Sequence, residues 1–273
     1  MNIKQVNPTA LVAELFRKAK DIDEFEYCST LLRIRGMEDA GWDPMHESWE
    51  LTQQLMALQN APLEQGVKLR LALFLYCHLT EMSDVYGIPA NMLHVLAGRR
   101  YSMSPFLHGL NQGERQPSSP SGKARRIRAL ALEHDMKELG EVFETMLVKE
   151  VRNAFYHSDY ILTNDSLNIR YGEGVVIDGM RSNRVPYTWL LPRVHLGINT
   201  ALAVLNQTLD EIQSYKEDKL VQGRFAPDGG WLPIQLTTHP EYGLVGFKSP
   251  PENDFVAGQG REETADRQSG SRR

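Results

Sequence analysis

Cysteine is nearly absent: Cys28 and Cys77 stand far apart in 273 residues and form no CxxC pattern. That argues against a disulfide scaffold or a thiolate metal site and makes a reducing, cytoplasmic setting the expectation. Long apolar runs are missing too. The most apolar, LALFLY from Leu71 to Tyr76, falls far short of the ~20 residues that span a bilayer, so no membrane association is expected. The segment MNIKQVNPTALVAELF has neither an extended apolar core nor a cleavage signature, so no signal peptide is expected. GxxxxGK[ST], a strand-linked GxGxxG, GxSxG and HExxH are all lacking. Motif reading therefore gives no phosphate loop, dinucleotide fold, serine hydrolase or zinc protease. The nearest approach to HExxH is HESWE, His46 to Glu50, where glutamate replaces the second histidine and no third ligand is evident. No metal and no cofactor are expected. His78, inside an apolar helix, reads as a core histidine.

What is present suits an ordinary globular protein, with 41% hydrophobic and 24% charged residues and room for one large domain or two small ones. The net charge of −5 speaks against unspecific nucleic-acid binding, but its distribution is uneven. Between Arg99 and Arg128 the chain carries +6, leaving −11 for the remainder. Arg99, Arg100, Lys123, Arg125, Arg126 and Arg128 are thus candidate RNA-binding residues, or the solvated edge of a loop and helix start.

Hydrophobic spacing predicts a mainly α fold: a helical bundle with a small β-hairpin insertion between the last two long helices. Helices are expected over 9–37, through Trp49 to Leu58, from Pro62 to about Tyr86, and over 90–97 after a break at Gly87 and Pro89. Further helices are expected over 123–134, 136–156 and 187–219. Residues 1–100 form an N-terminal helical region, and 101–122, rich in Pro, Ser and Gly, read as a linker or mobile loop. Residues 123–222 form a helical domain that carries a hairpin at 160–178, and the preceding helices are either separate or part of the same bundle. A peripheral β-hairpin at 223–249 precedes a polar tail, 250–273, expected to be disordered.

The chemistry concentrates in RNAFYH, Arg152 to His157. Leu139, Val142, Phe143, Met146, Leu147, Ala154 and Phe155 share one helix face, and a wheel of ~100° per residue turns Arg152 away from it. His157 follows about 140° round, at the helix end, where the dipole favours a cation. An arginine that stays charged and a histidine that exchanges protons are the pair phosphodiester chemistry needs. Glu150 either pairs within the bundle or joins the site. Asp159 either hydrogen-bonds His157 or helps to end the helix.

The string RNAFYHSDY resembles the signature of the HEPN superfamily: arginine, a polar residue, then histidine after four to six positions. The resemblance covers about residues 123–219. It implies a metal-independent endoribonuclease in which Arg152 binds the scissile phosphate, His157 acts as general base or acid, and Asn153 orients the site. The nucleophile would be the RNA's own 2′-hydroxyl, leaving a cyclic phosphate. The resemblance also implies an RNA partner, a homodimer whose two motifs form a composite site, and a toxin or phage-defence role with a possible cognate antitoxin or partner protein. The alternative is a non-catalytic HEPN-like protein that binds RNA or a nucleotide, or only dimerises.

Overall fold

Helices dominate the computed structural model, which describes residues 3–33, 43–107, 117, 119–224 and 230–249. The first is α1 (Pro8–Ile22), started by the Asn7 side chain, which accepts from the Ala10 amide. Asp23 interrupts the helix expected over 9–37. Its backbone is extended and its carboxylate accepts from Glu26, so it ends α1 and caps α2 (Glu24–Leu32). Next come α3 (Pro44–Asn60), α4 (Gln65–Glu81) and α5 (Ser83–Leu96). The break between α4 and α5 falls at Met82, not at Gly87 and Pro89, which both lie inside α5. Pro89 costs α5 one backbone hydrogen bond, but buried Ile88, Ala90, Met92 and Leu93 hold that turn in the core.

After α6 (Pro120–Glu133), the helix expected over 136–156 is two: α7 (Lys137–Thr145) and α8 (Lys149–Tyr156). Five short strands follow: β1 (Tyr160–Leu162), β2 (Ser166–Ile169), β3 (Val175–Ile177), β4 (Met180–Ser182) and β5 (Arg184–Pro186). β1, β2 and β5 form one antiparallel sheet, while β3 pairs only with β4. The hairpin expected over 160–178 thus closes at Ile169, and Arg184–Pro186 is its third strand. The long α9 (Tyr187–Ser214) ends before Lys219, which opens β6 (Lys219–Gly223). β6 joins β7 (Leu232–His239) and β8 (Gly243–Lys248), so the expected two-stranded hairpin has a third member. The tail at 250–273, residues 34–37 of the first expected helix, and 108–116 and 118 of the expected linker lie outside the described residues.

Two buried clusters organise the chain. The larger unites side chains from before and after 101–122, among them Leu15, Phe16, Leu79, Met92, Ile127, Phe143 and Val204. The smaller joins α4, α8, the β1–β5 insertion and α9 through Leu73, Tyr76, Val151, Leu167, Val185 and Leu190. Each such side chain contributes about 1.5–3 kcal/mol on burial. Gly197 lets α9 lie directly on Tyr76, because a Cβ there would meet the ring at 2.7 Å. Among the described residues no helix is long and apolar enough to cross a membrane.

The α7–α8 break is held by Tyr76 of α4. Its buried hydroxyl donates to the Met146 carbonyl at 3.0 Å and accepts from the Val148 amide at 2.8 Å. One phenol thus satisfies both backbone groups that a continuous helix would have paired. Tyr76→Phe leaves both groups without that partner and should cost about 2–3 kcal/mol, near the upper end for orphaned buried polar groups. Tyr86→Phe removes a bond to one carbonyl, Thr80, and should cost less. Denaturant midpoints of the two variants check the order.

Candidate functional site

α8 forms because Val148, Val151 and Ala154 recur at helical spacing and pack into the smaller cluster. His157 caps its end, donating its amide to the Asn153 carbonyl at 3.0 Å. Ser158 then turns left-handed at φ 56, and the Asp159 amide closes back onto the Ala154 carbonyl at 2.8 Å. Asp159 accepts the Arg170 amide on its own carbonyl, also at 2.8 Å, which ties the helix end to the strand insertion. Phe155 stacks on Tyr160 with ring centroids 5.2 Å apart and anchors β1 to α8.

The short helix presents two chemical faces. Lys149, Asn153 and His157, at i, i+4 and i+8, line a cavity of about 380 Å³ with Glu150, Asp159, Tyr171 and Glu173. Arg152 belongs to the other face. Its side chain is only 12% exposed, and Nη1 lies 2.5 Å from Oε1 of Glu81 at the end of α4. This corrects the outward direction expected from the wheel. The wheel carries the apolar stripe of α7 through the break at Met146–Val148, and α8 starts with a new phase. Nη1 meets Glu81 outside hydrogen-bond geometry, and Nε also has no hydrogen-bond partner. The pair is therefore held mainly by charge. Nη2 donates to Oδ1 of Asn153 at 2.7 Å.

A chain of contacts thus runs Glu81, Arg152, Asn153, and ends at the cavity that His157 also lines. Around the Arg152 end, burial pushes the Cys77 thiol up to about 12, with Arg152 opposing and Glu81 adding to the shift. Burial likewise raises the Tyr156 hydroxyl to about 12, so neither group is ionised near neutrality. Glu150, read as pairing within the bundle or joining the site, lines the cavity.

Within the described part of the basic stretch, two cations meet carboxylates. Arg100 meets buried Glu26 of α2 at 3.0 Å and donates to the Arg224 carbonyl at 2.8 Å. Arg128 pairs with Glu144 at 2.8 Å. Arg99 contacts the His94 ring at 3.3 Å, Lys123 reaches the Ser83 hydroxyl at 3.2 Å, and Arg125 folds back onto the Ser121 carbonyl at 3.4 Å. Arg126 lies on α6 with Nε buried. His46 pairs with Glu50 at 3.4 Å on the surface of α3. Among the described residues no group of three or more His, Cys, Asp or Glu could hold a metal ion. His78 is half-buried beside the Ser48 backbone, and desolvation lowers its pKa. A second cavity, about 450 Å³, lies between the start of α1 and α9 and includes no residue of RNAFYH.

Four site residues escape a reading of the sequence. Lys149 was detectable from its spacing of four and eight to Asn153 and His157. Glu81, Tyr171 and Glu173 carry no local signal, because the fold alone brings them to α8. Comparison with protein-family models, with curated proteins and with solved structures gave no match.

Glu81→Gln removes the charge that Arg152 faces. Because Glu81 is 40% exposed, the loss should fall between surface and buried pairs, about 1–2 kcal/mol. Thermal and denaturant unfolding of the variant measure it, and an unchanged midpoint would remove the ion pair from the account.

Proposed function

We propose that this chain is a HEPN-like, metal-independent endoribonuclease whose working face is the Lys149, Asn153 and His157 stripe of α8. The observation that carries the reading is that Asn153 and His157 of the RNAFYH motif line one cavity together with Lys149. His157 takes a proton from an RNA 2′-hydroxyl or returns one to the leaving 5′-oxygen. The 2′-oxygen bonds to phosphorus, the bond to the 5′-oxygen breaks, and a cyclic phosphate remains. Lys149 supplies positive charge beside the phosphate. Asn153, with its oxygen engaged by Arg152, keeps its amide N–H groups for the substrate.

In this reading Arg152 positions Asn153 within its own chain. It reaches a phosphate by leaving Glu81, or across a two-fold axis where Arg152 and His157 of different protomers converge. RNA is then the partner, a homodimer the working form, and residues 123–222 with the β1–β5 insertion the HEPN-like unit. A cytoplasmic toxin or phage-defence role with a cognate antitoxin belongs to the same reading.

The alternative, a non-catalytic binding or dimerising protein, is favoured by the ion pair that occupies Arg152. Purified protein is incubated with cellular RNA in EDTA, wild type beside Arg152→Ala and His157→Ala. The nuclease reading expects cleavage by the wild type and a loss of about 10²–10⁴-fold in His157→Ala, the usual share of a general acid or base. RNA left equally intact by all three proteins, with salt-sensitive binding that survives His157→Ala, supports the alternative.

A further inference from the structure

The cavity has a second wall, built from the end of β2 and the turn after it. Tyr171 lines this wall with its side chain 61% exposed, facing the same space as Asn153 and His157. The guanidinium carbon of Arg170 lies 4.8 Å from its ring centroid. No other aromatic ring among the described residues packs on Tyr171. One face of the ring is therefore braced by a cation, and the other has no aromatic partner. The turn also depends on glycine. Gly172 and Gly174 adopt φ values of 102 and 73, and a Cβ at Gly174 would collide with the Asn183 side chain and the Ser182 carbonyl.

The charge of the cavity says what that ring can meet. Glu150 and Asp159 share the cavity with Lys149 and His157, while the exposed Glu173 carboxylate pairs with Arg181 at 2.8 Å. The carboxylates of Glu150 and Asp159 repel a phosphate from the interior. They are acceptors only, so they suit a group rich in N–H donors, such as the exocyclic amine of a nucleobase. A volume of about 380 Å³ lies at the small end of the range of ~300–1,000 Å³ for ligand sites, which suits one nucleoside.

We propose that this cavity is a base-binding subsite in which Tyr171 stacks on one unpaired RNA base and the carboxylates of Glu150 and Asp159 accept hydrogen bonds from its amino group. The proposal rests on the RNA-directed reading of α8 and deepens it. The substrate is single-stranded, and its recognised base carries an amino group. Adenine, with its larger stacking surface, is bound ahead of uracil. The flanking phosphate stays at the rim, beside Lys149. Arg170 acts on the site by bracing the Tyr171 ring.

The test uses the full chain and 5′-fluorescein 2′-O-methyl oligoadenylate and oligouridylate, which lack the attacking hydroxyl, with binding followed by fluorescence anisotropy. Wild type should bind the adenylate more tightly than the uridylate. Tyr171→Ala should weaken adenylate binding about tenfold or more, as expected for a lost base stack, while Tyr171→Phe stays near wild type. Failure of the wild type to bind the adenylate, or undiminished binding by Tyr171→Ala, overturns the proposal. Equal affinity for the two oligomers overturns the amino-group assignment. A parallel incubation with all-ribose oligoadenylate in EDTA separates the two claims. Binding that depends on Tyr171 without cleavage overturns the nuclease reading and leaves the base subsite standing.

Discussion

The hydroxyl of Tyr76 spans the gap between α7 and α8 and sets the geometry of the RNAFYH motif. Bonding to both the Met146 carbonyl and the Val148 amide, it replaces a helical turn with a side-chain bridge, and α8 is free to start with a different rotation. That rotation turns Arg152 to α4 and leaves Lys149, Asn153 and His157 lining a cavity. The ring is fully buried, and Gly197 of α9 gives it the space it occupies. The direction of each motif side chain thus depends on a residue more than seventy positions earlier.

The contact from Glu81 through Arg152 to Asn153 links the same two helices by charge and hydrogen bonding. An arginine this little exposed needs a counter-charge, and Glu81 supplies one without a well-aligned hydrogen bond. Arg152 therefore has an anchor in Glu81 and one donor, Nε, without a hydrogen-bond partner. Such a group can hold a neighbour in place, or leave when a more strongly bonding anion arrives. A phosphate, which accepts bidentate hydrogen bonds from arginine, is an anion of that kind.

Helical periodicity made the apolar faces of α1, α4 and α9 legible, because a face that packs on a core must repeat with the helix. The breaks were not. Asp23, Met82 and the Met146–Val148 gap contain no glycine or proline, and Tyr76, the group that holds the last of these, is remote in sequence. The outward direction assigned to Arg152 failed for the same reason, since a wheel assumes an unbroken phase. The carboxylates opposite Arg100 and Arg128 were not legible, because Glu26 and Glu144 lie 74 and 16 residues away. Asn153 and His157 were legible as a pair, since a spacing of four puts both on one helix face whatever its phase. The aromatic wall formed by Tyr171 was not, because it comes from a turn that only the fold brings to α8.

The central claim is that RNA is met at the cavity face of α8. Nuclear magnetic resonance of the isotope-labelled chain, titrated with an RNA strand that cannot be cleaved, tests it residue by residue. The expected result is a shared, saturating shift at the His157 ring, the Asn153 side-chain amide and the Tyr171 ring, with little change at Arg100 and Arg128. Shifts confined to the Arg99–Arg128 stretch, with His157 and Asn153 unmoved, would contradict it.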